Sequence, residues 1–479
     1  MSGRIINPKW GNKADTFSFS MEDERATLDQ WLPPHIITKD WFPNAPDISL
    51  GMPITVLFGH TATVCPLVED SATEKKYLIA EHHLWRPEGG WFATTDGYTG
   101  VFVDGYANDA HTPFASGGNA NGFQVKNGTV FDFNNNSTGG YNDIPVSYLL
   151  YTKQPADIGT EAISNQSVVT GLFAGMPLRW EDSPDVPYTF PRDIITLLYY
   201  LYTRYTGYSE SQIDVDSFQG AFEDGLNLWN VNSAFNGFGS DRMKTIDTIH
   251  RRLLPQVPLF EFYNNGKLAV KFINIWGDKN FPYHGISTDP TVKADLIYGF
   301  NVLDRAGLIE EGDLSEIRND FIVKYNPDIH QQGGPYVKVL QFTNGTGPQI
   351  YKDPVYPTEV IIHPACVNSA AKFGHRPGEI IYCQDLFYQD ITLEPPIKGR
   401  TAAHLLCEWM AYFYTFRPKY IPVICDHSTA FLNPGDFVTY SEDNIGYSYK
   451  KCLIISKNVE SYKITYKLRT WENMSSPDA

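Results

Sequence analysis

At 479 residues the chain is too long to enclose a single hydrophobic core, and two to four domains are expected. Aromatic residues make up 14% of it and charged residues only 19%, which excludes a charged helical bundle and favours a β-rich protein with large contact surfaces. A formal net charge of −17 excludes a general nucleic-acid binder, which neutralises phosphates with Lys and Arg; a duplex could pass such a surface without adhering.

Residues 1–47 are punctuated by Pro33-Pro34 and Phe42-Pro43 and read as an extended arm. Trp10, Trp31 and Trp41 would anchor it, either across a neighbouring subunit or as a strap on its own domain. No apolar segment follows Met1 and no run approaches ~18 apolar residues, so neither a signal peptide nor a membrane span is expected, and synthesis falls to a cytosol.

A β-rich domain is expected over 48–160, with strands at Ile54 to Phe58, Tyr77 to Ala80 and Val101 to Val103 and a turn at Asp104-Gly105. Glu81-His82-His83 invites a metal reading, but adjacent side chains on a strand point to opposite faces and do not share one ion. Gly117 to Tyr141, with its "NNNSTGG" run, reads as a loop or hairpin tip.

An α+β domain is expected over 161–315. Pro191 opens a helix with Ile194, Leu197, Leu198, Leu201 and Tyr205 on one face and Gly207 closing it. In "SQIDVDSF", Asp214 and Asp216 suit either an acid–base pair or helix capping, and the adjoining Ser217 favours capping. Ser240 or Asp241 would cap a further helix with Met243, Ile246, Ile249 and Leu253 inward. Asn264-Asn265-Gly266 joins two strands as a hairpin. Leu296 to Gly312 reads as a connector with a solvated Glu310-Glu311 turn.

The last domain, 316–479, is expected to be β-rich with one helix. It opens on a strand from Asp320 to Tyr325, and the Gly-rich Gln331 to Gln349 reads as a mobile hairpin. Thr401 caps a helix whose inward face is Ala402, Leu405, Leu406, Trp409, Phe413 and Phe416, and Arg417-Pro418 ends it. Tyr420 to Cys425 is a strand, but Pro422 cannot donate to a ladder, so the strand lies at an edge or its pairing breaks there. Leu432-Asn433-Pro434-Gly435-Asp436 is a turn with Gly435 at positive φ, followed by a strand Phe437 to Tyr440. Strands Lys451 to Ser456 and Ser461 to Trp471 close the unit; in the second, Tyr462, Ile464, Tyr466 and Leu468 alternate with Lys463, Thr465, Lys467 and Arg469, giving one wet face.

Cys65, Cys366, Cys383, Cys407, Cys425 and Cys452 contain no C-x-x-C pair and read as buried free thiols, the alternative being a metal or iron–sulfur site from the last five. There is no G-x-S-x-G, no Walker-type loop and no H-E-x-x-H. A glycosidase needs only two carboxylates, so a cell-wall hydrolase or a carbohydrate-binding module stays open as an alternative.

Three stretches carry a resemblance. "ISLGMPITVLFGH", "KYLIAEHHLW" and "GVFVDG" come first; then "IDVDSF" with the "NGKLAVKF" hairpin; then "IRNDFIVKYNPD", "SAAKFGHRPGE" and "LNPGDFV". Their order over about half of the chain resembles phage tail hub and tail-tip attachment proteins, the central baseplate hub among them. The resemblance implies an α+β, β-rich fold with barrel-like β domains and short packed helices. It also implies a homotrimer in the virion tail that closes the distal tube. Such a hub would contact the tail tube or distal tail protein, the tape measure protein and spike or fibre proteins, with DNA only in transit. No catalytic, cofactor-binding or metal-binding residue is expected, and no enzymatic activity. The alternative is a β-rich receptor-binding or polysaccharide-processing tail protein. Attachment proteins of this family are often longer and end in a receptor-binding part, so receptor binding is expected to belong to another chain.

Overall fold

The computed structural model describes residues 3–10, 17–23, 29–84, 101–103, 106–107, 123–134, 144–152, 166, 168–174, 193–224, 229, 233–235, 242–275, 290–327, 336–345, 351, 358–383, 385, 402–460 and 462–472. The chain forms two compact units, one of 1–208, 231–252 and 328–334, the other of 209–230, 253–327 and 335–479. The fold is α+β and β-rich, with short helices, as expected.

The first unit begins with a hairpin of β1 (Gly3–Trp10) and β2 (Phe17–Asp23) and a short β3 (Trp31–Leu32). Next come β4 (Val56–Phe58), β5 (His60–Val64), β6 (Leu67–Asp70), β7 (Glu74–Ala80), β8 (Val101–Val103), β9 (Tyr106–Ala107), β10 (Phe123–Thr129), β11 (Pro145–Thr152) and β12 (Val169–Ala174). Helix α1 (Ile194–Tyr205), β13 (Ser233–Phe235) and β14 (Met243–Lys244) complete it. Two four-stranded sheets form, ordered β10-β11-β7-β6 and β5-β12-β8-β9.

The sequence of β7 explains the layering. Tyr77, Leu78, Ile79 and Ala80 are all buried, and a strand apolar at consecutive positions must be covered on both faces. Tyr77 and Ile79 face a core shared with Cys65, Val169 and Phe173. Leu78 faces the opposite core with Ile37, Trp41, Phe42 and Ala45. Of the two roles open to the arm, residues 29–47 take that of a strap on their own unit, and Trp41 is its buried anchor. Trp31 stays half exposed, with Arg242 and Lys244 over its ring. The side chain of Trp10 and the turn at Asp104-Gly105 lie outside the described residues.

Of the stretch expected to be a loop or hairpin tip, Gly117 to Tyr141, residues 123–134 are described, and they lead out of a strand that pairs antiparallel with β11. The stretch contains β10 and a helical turn, Phe131–Asn134, because Val125, Val130 and Phe133 supply apolar anchors between the polar runs. Pro191 lies outside the described residues; Asp193 caps α1, its carboxylate accepting from the backbone N–H groups of Ile195 and Thr196. The later helix is also corrected. Met243-Lys244 pairs with β3, and the helical turn Thr245–Thr248 is capped from afar, Asp29 Oδ1 accepting from Ile246 N and the Gln30 carbonyl from Thr245 N.

The second unit starts with α2 (Val215–Asp224), capped by Asp214, which accepts from Ser217 N. It packs on the hairpin of β15 (Leu259–Asn264) and β16 (Lys267–Phe272), whose two-residue corner has Asn265 at φ 51° and Gly266 at φ 80°, the double positive φ that Asn-Gly favours. The "connector", Leu296 to Gly312, is corrected most: it holds the end of β17 (Val292–Ile297) and all of β18 (Val302–Arg305) and β19 (Glu310–Glu311). β20 (Asp320–Pro327), β21 (Tyr336–Thr343), β22 (Thr358–Ile362) and β23 (Pro377–Cys383) form a mixed sheet ordered β22-β21-β20-β23. The expected mobile hairpin therefore contains a central strand, β21, with Leu340 and Gln341 buried. Helices α3 (Pro364–Phe373) and α4 (Ala402–Tyr414) pack against this sheet.

The closing sheet joins β17 to β25 (Phe437–Glu442), β26 (Tyr447–Val459), β27 (Ile464–Thr470), β24 (Lys419–Cys425) and β18 in that order. Its first and last strands, β17 and β18, are successive in the chain, separated by 298–301 and linked by a Tyr298–Val302 bridge, so the sheet curls on itself in a barrel-like way. The interior takes Leu296, Val302, Val423, Val438, Tyr440, Ile454, Ile464, Tyr466 and Leu468, at least one from each of these strands.

Pro422 divides the pairing along β24. Its carbonyl accepts from Ala306 N at 2.9 Å, so its N–H-less nitrogen faces the same side, the side of β18 and β19. There the partner strand splits: Arg305 pairs with Val423 and Glu310 with Tyr420, while 306–309 loop out between them. On the other side β24 pairs continuously with β27. Pro422→Ala should therefore change stability by less than about 1 kcal/mol. Val423→Pro, which removes a bond to β27, should cost about 3 kcal/mol or more; urea titration of both variants checks the contrast.

Candidate functional site

The "LNPGDFV" and "SAAKFGHRPGE" stretches each build a defined polar feature in the second unit. Pro434 and Gly435 form the corner, Gly435 at φ 90°, with Asp436 N donating to the Asn433 carbonyl at 3.1 Å. Gly435 N also donates to the Ile454 carbonyl at 2.8 Å, and Ile454 N to that of Asp436 at 2.9 Å, which locks the corner onto β26. The buried carboxylate of Asp436 then gathers three segments. Its Oδ2 accepts from Asn433 N at 2.7 Å, and its Oδ1 lies 3.2 Å from Lys293 Nζ on β17 and 3.5 Å from Lys271 Nζ on β16. Two partly exposed lysines thus compensate one buried charge, which ties hairpin, turn and barrel-like sheet together.

The second feature surrounds the start of β20. Asn319 is fully buried: its Nδ2 donates to the Gly374 carbonyl at 2.8 Å and to Ser369 Oγ at 3.2 Å, while its Oδ1 accepts from Arg376 N at 2.7 Å. Asp320 accepts from Gln341 Nε2 at 2.8 Å and pairs with His375 Nε2 at 2.9 Å. Gln341 Oε1 in turn accepts from Tyr351 N. Gly374, at φ 76°, ends α3 in a conformation that favours glycine. These polar atoms hold one another, so the network fixes how α3 and β23 return to β20.

The other singled-out residues fall as follows. His82 and His83 diverge: His82 is buried, accepting at Nε2 from Leu57 N (2.9 Å) and donating from Nδ1 to the His83 carbonyl, whereas His83 reaches the Gly128 carbonyl. Glu81 pairs with His35 at 3.0 Å, and burial raises its pKa against the lowering effect of that partner. Asp214 Oδ2 accepts from Asn264 Nδ2, a capping and turn-bracing role. All six cysteines are free and buried; burial raises their thiol pKa values, to about 12 for Cys425 and Cys452. Among the described residues, no group of three or more His, Cys, Asp or Glu side chains could hold a metal ion. Among them also, no helix is long and apolar enough to cross a membrane.

Two expectations at the C-terminus are corrected. Helix α4 is buried over most of its circumference, including His404, Cys407, Glu408, Met410 and Ala411 beside the expected Ala402, Leu405 and Leu406, while Trp409 and Phe413 are partly buried and Phe416, buried too, lies beyond its end. A helix apolar nearly all round gives no decisive periodicity. The wet face of β27 is interrupted too: Arg469 is buried, because α4 and the segment after it cover that end of the strand, and Tyr462 is exposed outside the strand. Sequence reasoning missed Asp436 and Asn319; their signal was a polar residue fixed beside a turn glycine or a strand start.

No known protein family matches the sequence, and no curated protein does. Among solved structures, a chain in the virion of the native gene transfer agent particle matches with a TM-score of 0.50 and 11% identity, covering 91% of this chain and 88% of that one. At that identity the likeness is one of fold. The 43 kDa tail protein of prophage MuSo2 from Shewanella oneidensis has a TM-score of 0.27 at 11% identity, covering 87% of this chain and 97% of its own. A prophage tail protein from Listeria monocytogenes has 0.28 at 11%, covering 88% and 95%. Both scores fall below the level at which a shared fold follows.

Gly435→Val would combine a positive φ with a Cβ placed 2.6 Å from Lys271 Cγ, so a loss of about 2–5 kcal/mol is expected in urea titration. Lys463→Gln, at a surface pair with Glu460, should cost less than about 1 kcal/mol.

The buried His82 gives a pH dependence. Burial lowers its pKa to about 4 against an ordinary 6.5, so the unfolded chain takes up a proton that the folded one refuses. Its contribution is complete above pH ~6.5 and is lost as the pH falls toward about 4, by about 3 kcal/mol in all. Asp193, raised to about 7 by burial, acts in the opposite sense over the same range. Subtracting His82→Gln from the native chain in urea titrations at pH 7 and 4.5 isolates the histidine: the native advantage should shrink at the lower pH.

Proposed function

We propose that this chain is a structural component of a phage-type virion tail: a tail-tip or baseplate hub that closes the distal tube and joins it to spike or fibre proteins. The observation that carries the reading is the fold likeness to a gene-transfer-agent virion chain over nearly the full length of both. The ordered tail-hub motifs agree with it, since "IDVDSF", "NGKLAVKF", "SAAKFGHRPGE" and "LNPGDFV" each build a defined cap, hairpin or turn. In this reading the hub is a homotrimer, contacts the tube or distal tail protein and the tape measure protein, and lets DNA pass. The net charge of −17 suits such a conduit.

The reading includes no hydrolytic step. Beside the His375–Asp320 pair, Gln341 donates to Asp320 and the neighbouring Asn319 donates to Ser369, which suits a brace.

Particles labelled with antibody against this chain and imaged in negative stain should carry the label at the distal tail, and chain released from them should run as a trimer in light scattering. Label elsewhere on the particle, or a monomer at all concentrations, sinks the hub assignment. Turnover of peptidoglycan or capsule that disappears on changing one carboxylate would replace it with the polysaccharide-processing alternative.

A further inference from the structure

The hairpin of β1 and β2 is a sheet of only two strands. No other described strand pairs with either, so among the described residues each keeps an open edge. The short β3 that follows pairs with β14 instead. A lone hairpin is marginal in water unless further strands or another surface cover it.

Its sequence divides by face. The register sets Ile5 opposite Met21 and Trp10 opposite Phe17, and the two-residue period of a strand places Phe19 on the same face. Asp23, opposite Gly3, stands at the end of that face. The other face takes Arg4 opposite Glu22, Ile6 opposite Ser20 and Lys9 opposite Ser18. The irregularity between Ile6 and Lys9 decides this division. Ile5 and Trp10 are an odd number of residues apart, and only a shifted register puts both on one face. Pro8, which has no N–H for a ladder, falls inside the shift.

The two edges also differ in charge. β1 carries Arg4 and Lys9 and no acid; β2 carries Glu22 and Asp23 and no base. Like edges of two copies repel and unlike edges attract, in a chain whose net charge of −17 otherwise opposes self-association. Contact between unlike edges is head-to-tail, and such contacts close into rings.

We propose that the hairpins of three copies join edge to edge, β1 of each beside β2 of the next, and close a six-stranded antiparallel barrel with the apolar face inside. The count of three rests on the homotrimer reading above; the faces and the edge charges do not. Closure removes both open edges and alternates basic with acidic strands around the ring. It also gives Ile5, Trp10, Phe17, Phe19 and Met21 of every copy a common core. The bulge in β1 supplies the bend and added twist that a small barrel needs.

The test is light scattering on the full chain, with hydrogen exchange as a second measurement. The native chain should be a trimer. Phe19→Glu puts a charge on the closed face and should raise the trimer dissociation constant by about a hundredfold or more. Ser20→Glu, one residue along on the wet face, should change it by less than about threefold. The amides of Gly3–Ile6 and Phe17–Asp23 should be protected in the native trimer and should lose protection together when it dissociates, on dilution or in Phe19→Glu. If Phe19→Glu does not fold, dilution of the native chain carries the comparison. A Phe19→Glu chain that stays trimeric, an equal loss with Ser20→Glu, or protection that is the same in trimer and monomer overturns the inference and leaves the tail assignment standing. A native chain that is monomeric at all concentrations overturns it together with the homotrimer.

Discussion

The second unit depends on one long-range pairing. β17 runs parallel to β25, bringing Val292–Ile297 beside Phe437–Ser441, and this contact places the first strand of the closing sheet. Parallel pairing between segments so far apart in sequence carries a large loop-closure cost. The interior recovers it by burying Leu296, Tyr440, Tyr466 and their neighbours completely. Asp436 sits where that pairing begins, and its two lysines come from β17 and β16, so the electrostatic tie and the strand pairing reinforce each other.

Buried polar atoms do most of the positioning elsewhere. Asn319 uses both ends of its amide to hold the turn after α3, and Asp29 caps a helical turn more than two hundred residues away in sequence. Tyr466 donates to the Thr429 carbonyl and Tyr440 to Glu442, so even the barrel-like interior keeps its hydroxyls paired.

The two units differ in how they cover apolar strands. In the first, β7 is apolar at consecutive positions and lies between two cores, one closed by the second sheet and the other by the strap through Trp41. In the second, β27 alternates strictly only where its outer face is open; at its end, Arg469 turns into an aromatic cluster under α4. Pro422 shows the same economy: its missing donor falls where the neighbouring strand divides.

Local chemistry was legible in the sequence wherever a residue's own backbone preference fixes the geometry. Gly435 at the corner, Asn265-Gly266 in the hairpin, Asp214 at the start of α2 and the break at Pro422 follow from steric and hydrogen-bonding rules acting over three or four residues. Buried free cysteines were legible from their apolar neighbours, whereas His82 and His83 diverge beyond the end of β7 and not by alternation along it. The membership of β17, β18, β19 and β21 in sheets was not, because short strands with mixed polarity form only when a distant partner offers its edge. Nor was the burial of Arg469 or the lysine pair on Asp436. Each of these depends on which element covers which face, and that is decided by the packing of segments far apart in the chain.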